Sequence, residues 1–178
     1  MEVIAKRPTQ CSHVELEDFA SFVRAGGEVV SEGLERRVRG AEYLLFLMDA
    51  ECLKGIGAVK RPETGYRKGV SAKAGVILRQ SAFPFELGWV FVLRSARGGR
   101  GKMLVTTAFK QINGKGIFAT SRTDNKPMRE CLLGQGFAIK GKAYASQRGH
   151  YKLQLFTRHA AQPSAPADAP RPTGSGRG

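Results

Sequence analysis

The stretch that decides the fold is Glu86–Val105, ELGWVFVLRSARGGRGKMLV. Glu86–Arg94 is enriched in Val, Phe and Trp and reads as a buried strand. A glycine-rich turn, ARGGRGK, follows and opens a helix on which Leu104, Val105, Ala108, Phe109 and Ile112 share one face. Asn113-Gly114 closes that helix, and Gly116–Thr120 is another apolar strand. A strand, turn, helix and strand in this order imply two parallel strands joined by a right-handed crossover.

Downstream, Asp124 or Asn125 caps a helix with Pro127 in its first turn and Met128, Cys131 and Leu132 on its inner face; Gly134 ends it. Phe137–Tyr144 and His150–Phe156 read as a hairpin, with Tyr151, Leu153 and Leu155 alternating. Upstream, Glu42–Asp49 and Gly55–Lys60 read as two strands around a turn. Ser12 and Glu15 form a capping box ahead of Leu16, Phe19, Phe22 and Val23, which recur at helical spacing until Gly26-Gly27. Ser31–Arg39 reads as a second, shorter helix. Pro62–Gly75, basic and glycine-containing, reads as a long loop with some helix in it.

The 178 residues suggest one domain, expected over 1–157, and 42% hydrophobic residues suffice for a core. Residues 158–178 are mostly Ala, Pro, Ser, Gly and Arg and read as a disordered tail. Cys11, Cys52 and Cys131 are too few and too scattered for a disulfide framework, and with three histidines no metal site is expected. No apolar run reaches the length of a membrane span, and Met1–Thr9 lacks the apolar core of a secretory signal, so a cytoplasmic location is the default. The net charge of +14 and pI near 10.2 favour an anionic partner: nucleic acid, an acidic protein or a polyphosphate cofactor.

The turn carries the chemistry. A glycine-rich connection into a helix presents backbone N–H groups and the positive end of the helix dipole to an anion. Gly98, Gly99 and Gly101 let a phosphate approach, and Arg97, Arg100 and Lys102 add charged donors. The pattern is neither G-x-x-x-x-G-K-[ST] nor G-x-G-x-x-G, since position 104 is Leu. The plain alternative is a tight surface turn with solvated arginines.

Read with its neighbours, the stretch resembles the GNAT (Gcn5-related N-acetyltransferase) superfamily. In that family a strand ends in a hydrophobic pair, here Val92-Leu93, and R/Q-x-x-G-x-G/A opens a helix; a second helix, opened here by Asn125, leads to a G-F pair, here Gly136-Phe137. The resemblance covers about the last two-thirds of the folded chain. It implies a mixed, mostly antiparallel sheet with a central parallel pair, flanked by helices (α+β or α/β), and acetyl-CoA as acetyl donor. Counting from the strand puts Arg97 at the R/Q position, with Arg100 and Lys102 at the glycines. Counting from the glycines fits Gly99 and Gly101 and puts Ala96 there. The strand register is preferred. The family's tyrosine on the second helix, five residues before the phenylalanine, is Leu132 here.

What the resemblance implies is direct transfer of acetyl to a primary amine on a small molecule or protein. Glu86 is expected as the base, Val92 and Leu93 to hold the donor through their backbone, and Arg97 to Met103 with Asn125 to bind it. Ser121, Arg122, Thr123 and Asp124, just past a buried strand, shape the pocket or cap the next helix. Trp89 and Tyr144 line the acceptor site or the core. Arg61, Arg67, Lys68 and Lys73 meet an anionic acceptor or simply face solvent. Two further readings remain: an enzyme acting on an RNA-bound amine such as aminoacyl-tRNA, and an inactive nucleic-acid-binding domain of the same fold. A monomer or homodimer, without a membrane, is expected.

Overall fold

The computed structural model describes residues 1–27 and 31–161. The tail expected over 158–178 lies outside the described residues from 162 onward. The strands are β1 (Glu2–Lys6), β2 (Tyr43–Asp49), β3 (Cys52–Lys60), β4 (Phe85–Val92), β5 (Ile117–Arg122), β6 (Ala138–Ala145) and β7 (Lys152–Arg158). The helices are α1 (His13–Ala25), α2 (Leu34–Arg39), α3 (Thr64–Ala74), α4 (Arg100–Gln111) and α5 (Lys126–Gly134). One sheet runs β1-β2-β3-β4-β5-β7-β6, antiparallel except for the β4/β5 pair. The expected mixed sheet with a central parallel pair is therefore present.

Alternation along the strands sends side chains to two faces. Leu45, Leu47, Phe85, Leu87, Ile117 and Ala119 pack under α4 and α5, against Leu104, Val105, Ala108 and Leu132. On the other face Leu44, Phe46, Ile56 and Ala58 meet α1 and α2, with Phe19 stacked edge-on to Phe46 at 5.5 Å. Further along that face Phe118 and Leu155 meet Val70 and Ala74 of α3. The sheet thus has α4 and α5 below, and α1, α2 and α3 above.

Three elements differ from the sequence reading. β1 was not expected; it is a short edge strand of five residues whose alternation, Val3 and Ala5 inward, is brief. Pro62–Gly75 is chiefly the helix α3, which Gly75 closes in the left-handed conformation (φ 70°). Its buried stripe is unusual because Arg67 belongs to it: Nη1 donates to the Phe83 carbonyl at 2.6 Å and the guanidinium lies over Phe118. A buried arginine is invisible to an apolar periodicity. At the end of the domain, β7 takes in Arg158, which lies over the Phe109 ring, and the Ala161 N–H donates to the Gly114 carbonyl.

Candidate active site

The site starts from a defect in β4. Phe91 pairs with Ile56 and Gly88 with Ala58, so Trp89 and Val90 stand opposite Gly57 alone. This is a β-bulge, and Trp89 has a φ of 53°. A bulge bends its strand. The parallel pairing accordingly ends at Leu87↔Ala119, and β4 runs on from Gly88 without β5 beside it. Beyond the bulge the Leu93 N–H donates to the Lys54 carbonyl at 2.9 Å, toward β3. Successive peptide N–H groups alternate sides, so the Val92 N–H points away from β3 into the opening that β5 has left.

The far end of β4 leads through Arg94–Ala96, a short 3-10 turn, into α4. Gly98 (φ 99°) and Gly99 (φ 80°) are left-handed, and Gly99 is the residue before the first helical turn, with no side-chain cap. The N–H groups of that turn have no partner within the helix. Gly98, Gly99 and Gly101 face open space, since a Cβ built on any of them meets nothing within 4 Å. Arg97, Arg100 and Lys102 are exposed beside them. α4 starts at Arg100, flanked by Gly99 and Gly101, with Arg97 three residues ahead of it. Met103 is half-buried and, with Val3, Gly99, Lys102 and Thr106, lines a groove of about 310 Å³ between β1 and α4.

Asn125 opens α5 and its side-chain oxygen caps the helix by accepting from the Met128 N–H at 3.2 Å. Arg122 pairs with Asp124 through two contacts, 2.8 and 3.0 Å, and lies over Tyr151. The Thr123 carbonyl accepts from Arg129. Leu132, at the position of the family's tyrosine, is fully buried beneath α4.

Glu86 points to the opposite face from Phe85 and Leu87 and is 4% exposed. Its Oε2 lies 3.0 Å from the Lys60 ammonium, which also sits over the Trp89 ring. Its Oε1 accepts from the Tyr66 hydroxyl at 2.9 Å. Tyr66 reaches this point from α3; the residue is exposed over 42% of its surface, and its hydroxyl bond to Glu86 is partly buried. Burial, then the Glu86 charge and hydrogen bond, holds the Tyr66 phenol protonated well above the ordinary tyrosine value. Tyr144, half-buried on β6, is pushed up to about 12 by burial and by the Glu86 charge. Sequence reasoning singled out Glu86, Trp89 and Tyr144 but neither Lys60 nor Tyr66, which no local pattern connects to Glu86. Arg61 and Arg67, read as candidates for an anionic acceptor, are engaged within the fold: Arg61 pairs with Glu42 at 2.6 Å and Arg67 with the Phe83 carbonyl. Lys68 is exposed and Lys73 half-buried.

A central parallel pair that parts at a bulge, followed by a glycine-lined helix start, defines the class: the chain has the GNAT fold. It superimposes on NAA60 of Arabidopsis thaliana in complex with acetyl-CoA with a TM-score of 0.64 and 15% identity, covering 88% of this chain and 99% of that one. ElaA of Escherichia coli gives 0.65 and 11%, covering 89% and 100%. Ribosomal-protein-alanine N-acetyltransferase of Brucella melitensis gives 0.61 and 18%, covering 88% and 99%. At such identities the likeness is one of fold. No family model and no curated protein matches the chain. Among the described residues no helix is long and apolar enough to cross a membrane.

Proposed function

We propose that the chain is a cytoplasmic N-acetyltransferase that takes acetyl from acetyl-CoA and passes it directly to a primary amine. The observation that carries this reading is the opening between β4 and β5. It has an anion-binding helix start at its wide end and a buried carboxylate at its point. The residues fit the donor: the Gly99, Arg100 and Gly101 N–H groups, with Arg97, Arg100 and Lys102, would hold its pyrophosphate. The Val92 N–H would hold the pantetheine, whereas the Leu93 N–H is already engaged. The bound donor supplies the acetyl thioester. An attacking amine must be neutral, and Glu86, at the point of the opening, is the group positioned to take its proton. Lys60 keeps that carboxylate in place. Neighbours of the same fold include an enzyme named for acetylating a ribosomal-protein alanine, which supports an amine acceptor of peptide character. Calorimetry with acetyl-CoA, beside coenzyme A alone, tests the reading. Micromolar binding that an Arg97/Arg100 double alanine variant loses is expected; no binding at millimolar donor would overturn it.

A second reading has its own observation. Residues 1–63 carry nine Lys and Arg against eleven Asp and Glu, whereas residues 64–178 carry twenty against four. The excess of +14 thus belongs to the part that builds α3, α4 and the β6–β7 edge. α3 abuts β6, where a Cβ on Gly141 would strike the Ala74 carbonyl, so Lys68, Lys140 and Lys142 flank the Glu86 side of the sheet. Such a surface suits an acceptor carried on RNA. Binding of a transfer RNA that weakens steeply and log-linearly with salt would support it, and salt-insensitive or absent binding would remove it.

A further inference from the structure

Between β3 and β4 the chain makes an excursion, residues 61–84, whose helix α3 brings Tyr66 to the centre of the sheet. The Tyr66 hydroxyl donates to Glu86 Oε1 at 2.9 Å. Glu86 belongs to the last paired rungs of β4 and β5, as the partner of Phe118, and Thr120 is the first residue of β5 beyond them. The phenol oxygen therefore sits at the point where the two strands part. A tyrosine oxygen whose one proton is donated keeps its lone pairs for a further group. The free direction belongs to whatever occupies the opening.

We propose that Tyr66 is a catalytic residue, a hydroxyl that relays the acceptor's proton to Glu86 and returns it to the leaving sulfur. The proposal rests on the acetyltransferase reading. As the amine nitrogen bonds to the thioester carbonyl carbon, its proton passes to the Tyr66 oxygen, and the Tyr66 proton passes to Glu86 Oε1. When the carbon–sulfur bond breaks, the electron pair leaves on sulfur, and the proton on Glu86 travels back through the same hydroxyl to that thiolate. Amine and thioester become amide and thiol, and Glu86 and Tyr66 end as they began. The scheme supplies the proton donor that the buried Leu132 does not. It also gives Lys60 a purpose: its ammonium binds the other oxygen of Glu86 and leaves Oε1 to the phenol. The phenol is held protonated by burial and by the carboxylate, so the relay stays loaded across the working pH range.

The test is Tyr66→Phe, which keeps the ring and removes only the hydroxyl. Thiol release is followed with acetyl-CoA as donor and ethylamine, spermidine and a peptide with a free N-terminal alanine as acceptors. We expect kcat to fall on the order of 100-fold, with the KM for acetyl-CoA and the melting temperature little changed. The kcat of the variant should climb with pH more steeply than that of the wild-type protein, because free base in solution must replace the relay. Turnover by Tyr66→Phe at the wild-type rate and with the wild-type pH profile would overturn the relay alone. A wild-type protein that releases no thiol with any of these amines would overturn the acetyltransferase reading, and the relay with it.

Discussion

Replacing Gly88 with alanine isolates how Glu86 is held. Gly88 is not in the left-handed region, so the backbone tolerates alanine. The new Cβ would stand 2.5 Å from Lys60 Cε and 2.7 Å from its Nζ. These atoms form the flexible end of a lysine, so the strand can stay while the lysine leaves. Glu86 then remains buried with Tyr66 as its partner and no cation at Oε2. Removing one member of a fully buried pair costs about 3–5 kcal/mol. The Lys60 side chain is 22% exposed and the Tyr66 bond persists, so the loss should resemble that of one charged hydrogen bond, about 1.5–3 kcal/mol. For a domain of this size that lowers the melting temperature by roughly 3–12 °C. The assay is a double-mutant cycle in urea with Glu86→Gln. With glutamine no charge is stranded, so Gly88→Ala should cost about 1.5–3 kcal/mol less there than in the glutamate background, the stiffer unfolded chain of the alanine variant contributing about 0.4–1 kcal/mol of stability equally in both. An equal cost in both backgrounds would show that Lys60 does not hold Glu86, and the reasoning about the site would fail.

Leu132→Tyr should not restore an acid at the family's position. The side chain is fully enclosed, so the larger ring should cost about 1–3 kcal/mol in urea unfolding and leave thiol release no faster. Gly99→Ala should cost about 1–2 kcal/mol through its left-handed φ of 80°, with no clash, and should weaken acetyl-CoA binding in calorimetry. The Arg61 hydrogen bond and the Arg61 and Arg7 charges hold the Glu42 carboxyl below its ordinary value of 4.5. The stability this adds is complete above that value and lost as pH falls through the lowered one. Glu42→Gln should therefore be less stable than the wild-type protein at pH 7, with the gap narrowing as the pH drops below about 4.5; a constant gap would contradict the pairing.

How far the molecule was legible depends on the distance over which each signal acts. The capping box at Ser12 and Glu15 formed as read, because both residues lie within one helical turn of each other. The β4–loop–α4–β5 unit was legible for the same reason: its period, its glycines and its apolar helix face are all local. The cap of α5 was readable only to within two residues, and the structure gives it to Asn125. Periodicity failed where the buried stripe is not apolar. In α3 the inward positions include Arg67, which two carbonyls from the following loop accept, and no residue within the helix foretells those carbonyls.

The site was less legible than the fold because its parts come from separate elements. Glu86 was found through its place at the head of β4. Its partners belong to other elements: Lys60 stands opposite it in the β3/β4 register, Tyr66 reaches it from α3, and the bulge at Trp89 begins just beyond that paired stretch. That bulge has no signature beyond Gly88-Trp89, and a register slip of one residue there would reverse the faces of the β4 residues that follow it. A strand that kept its alternation through Trp89 would let β4 and β5 continue side by side, closing the opening and separating the helix start at Gly99 from the carboxylate. The two halves of the proposed chemistry, phosphate binding at Gly99 and proton transfer at Glu86, are thus joined by one irregular residue, and inserting or deleting a residue at that point should abolish both together.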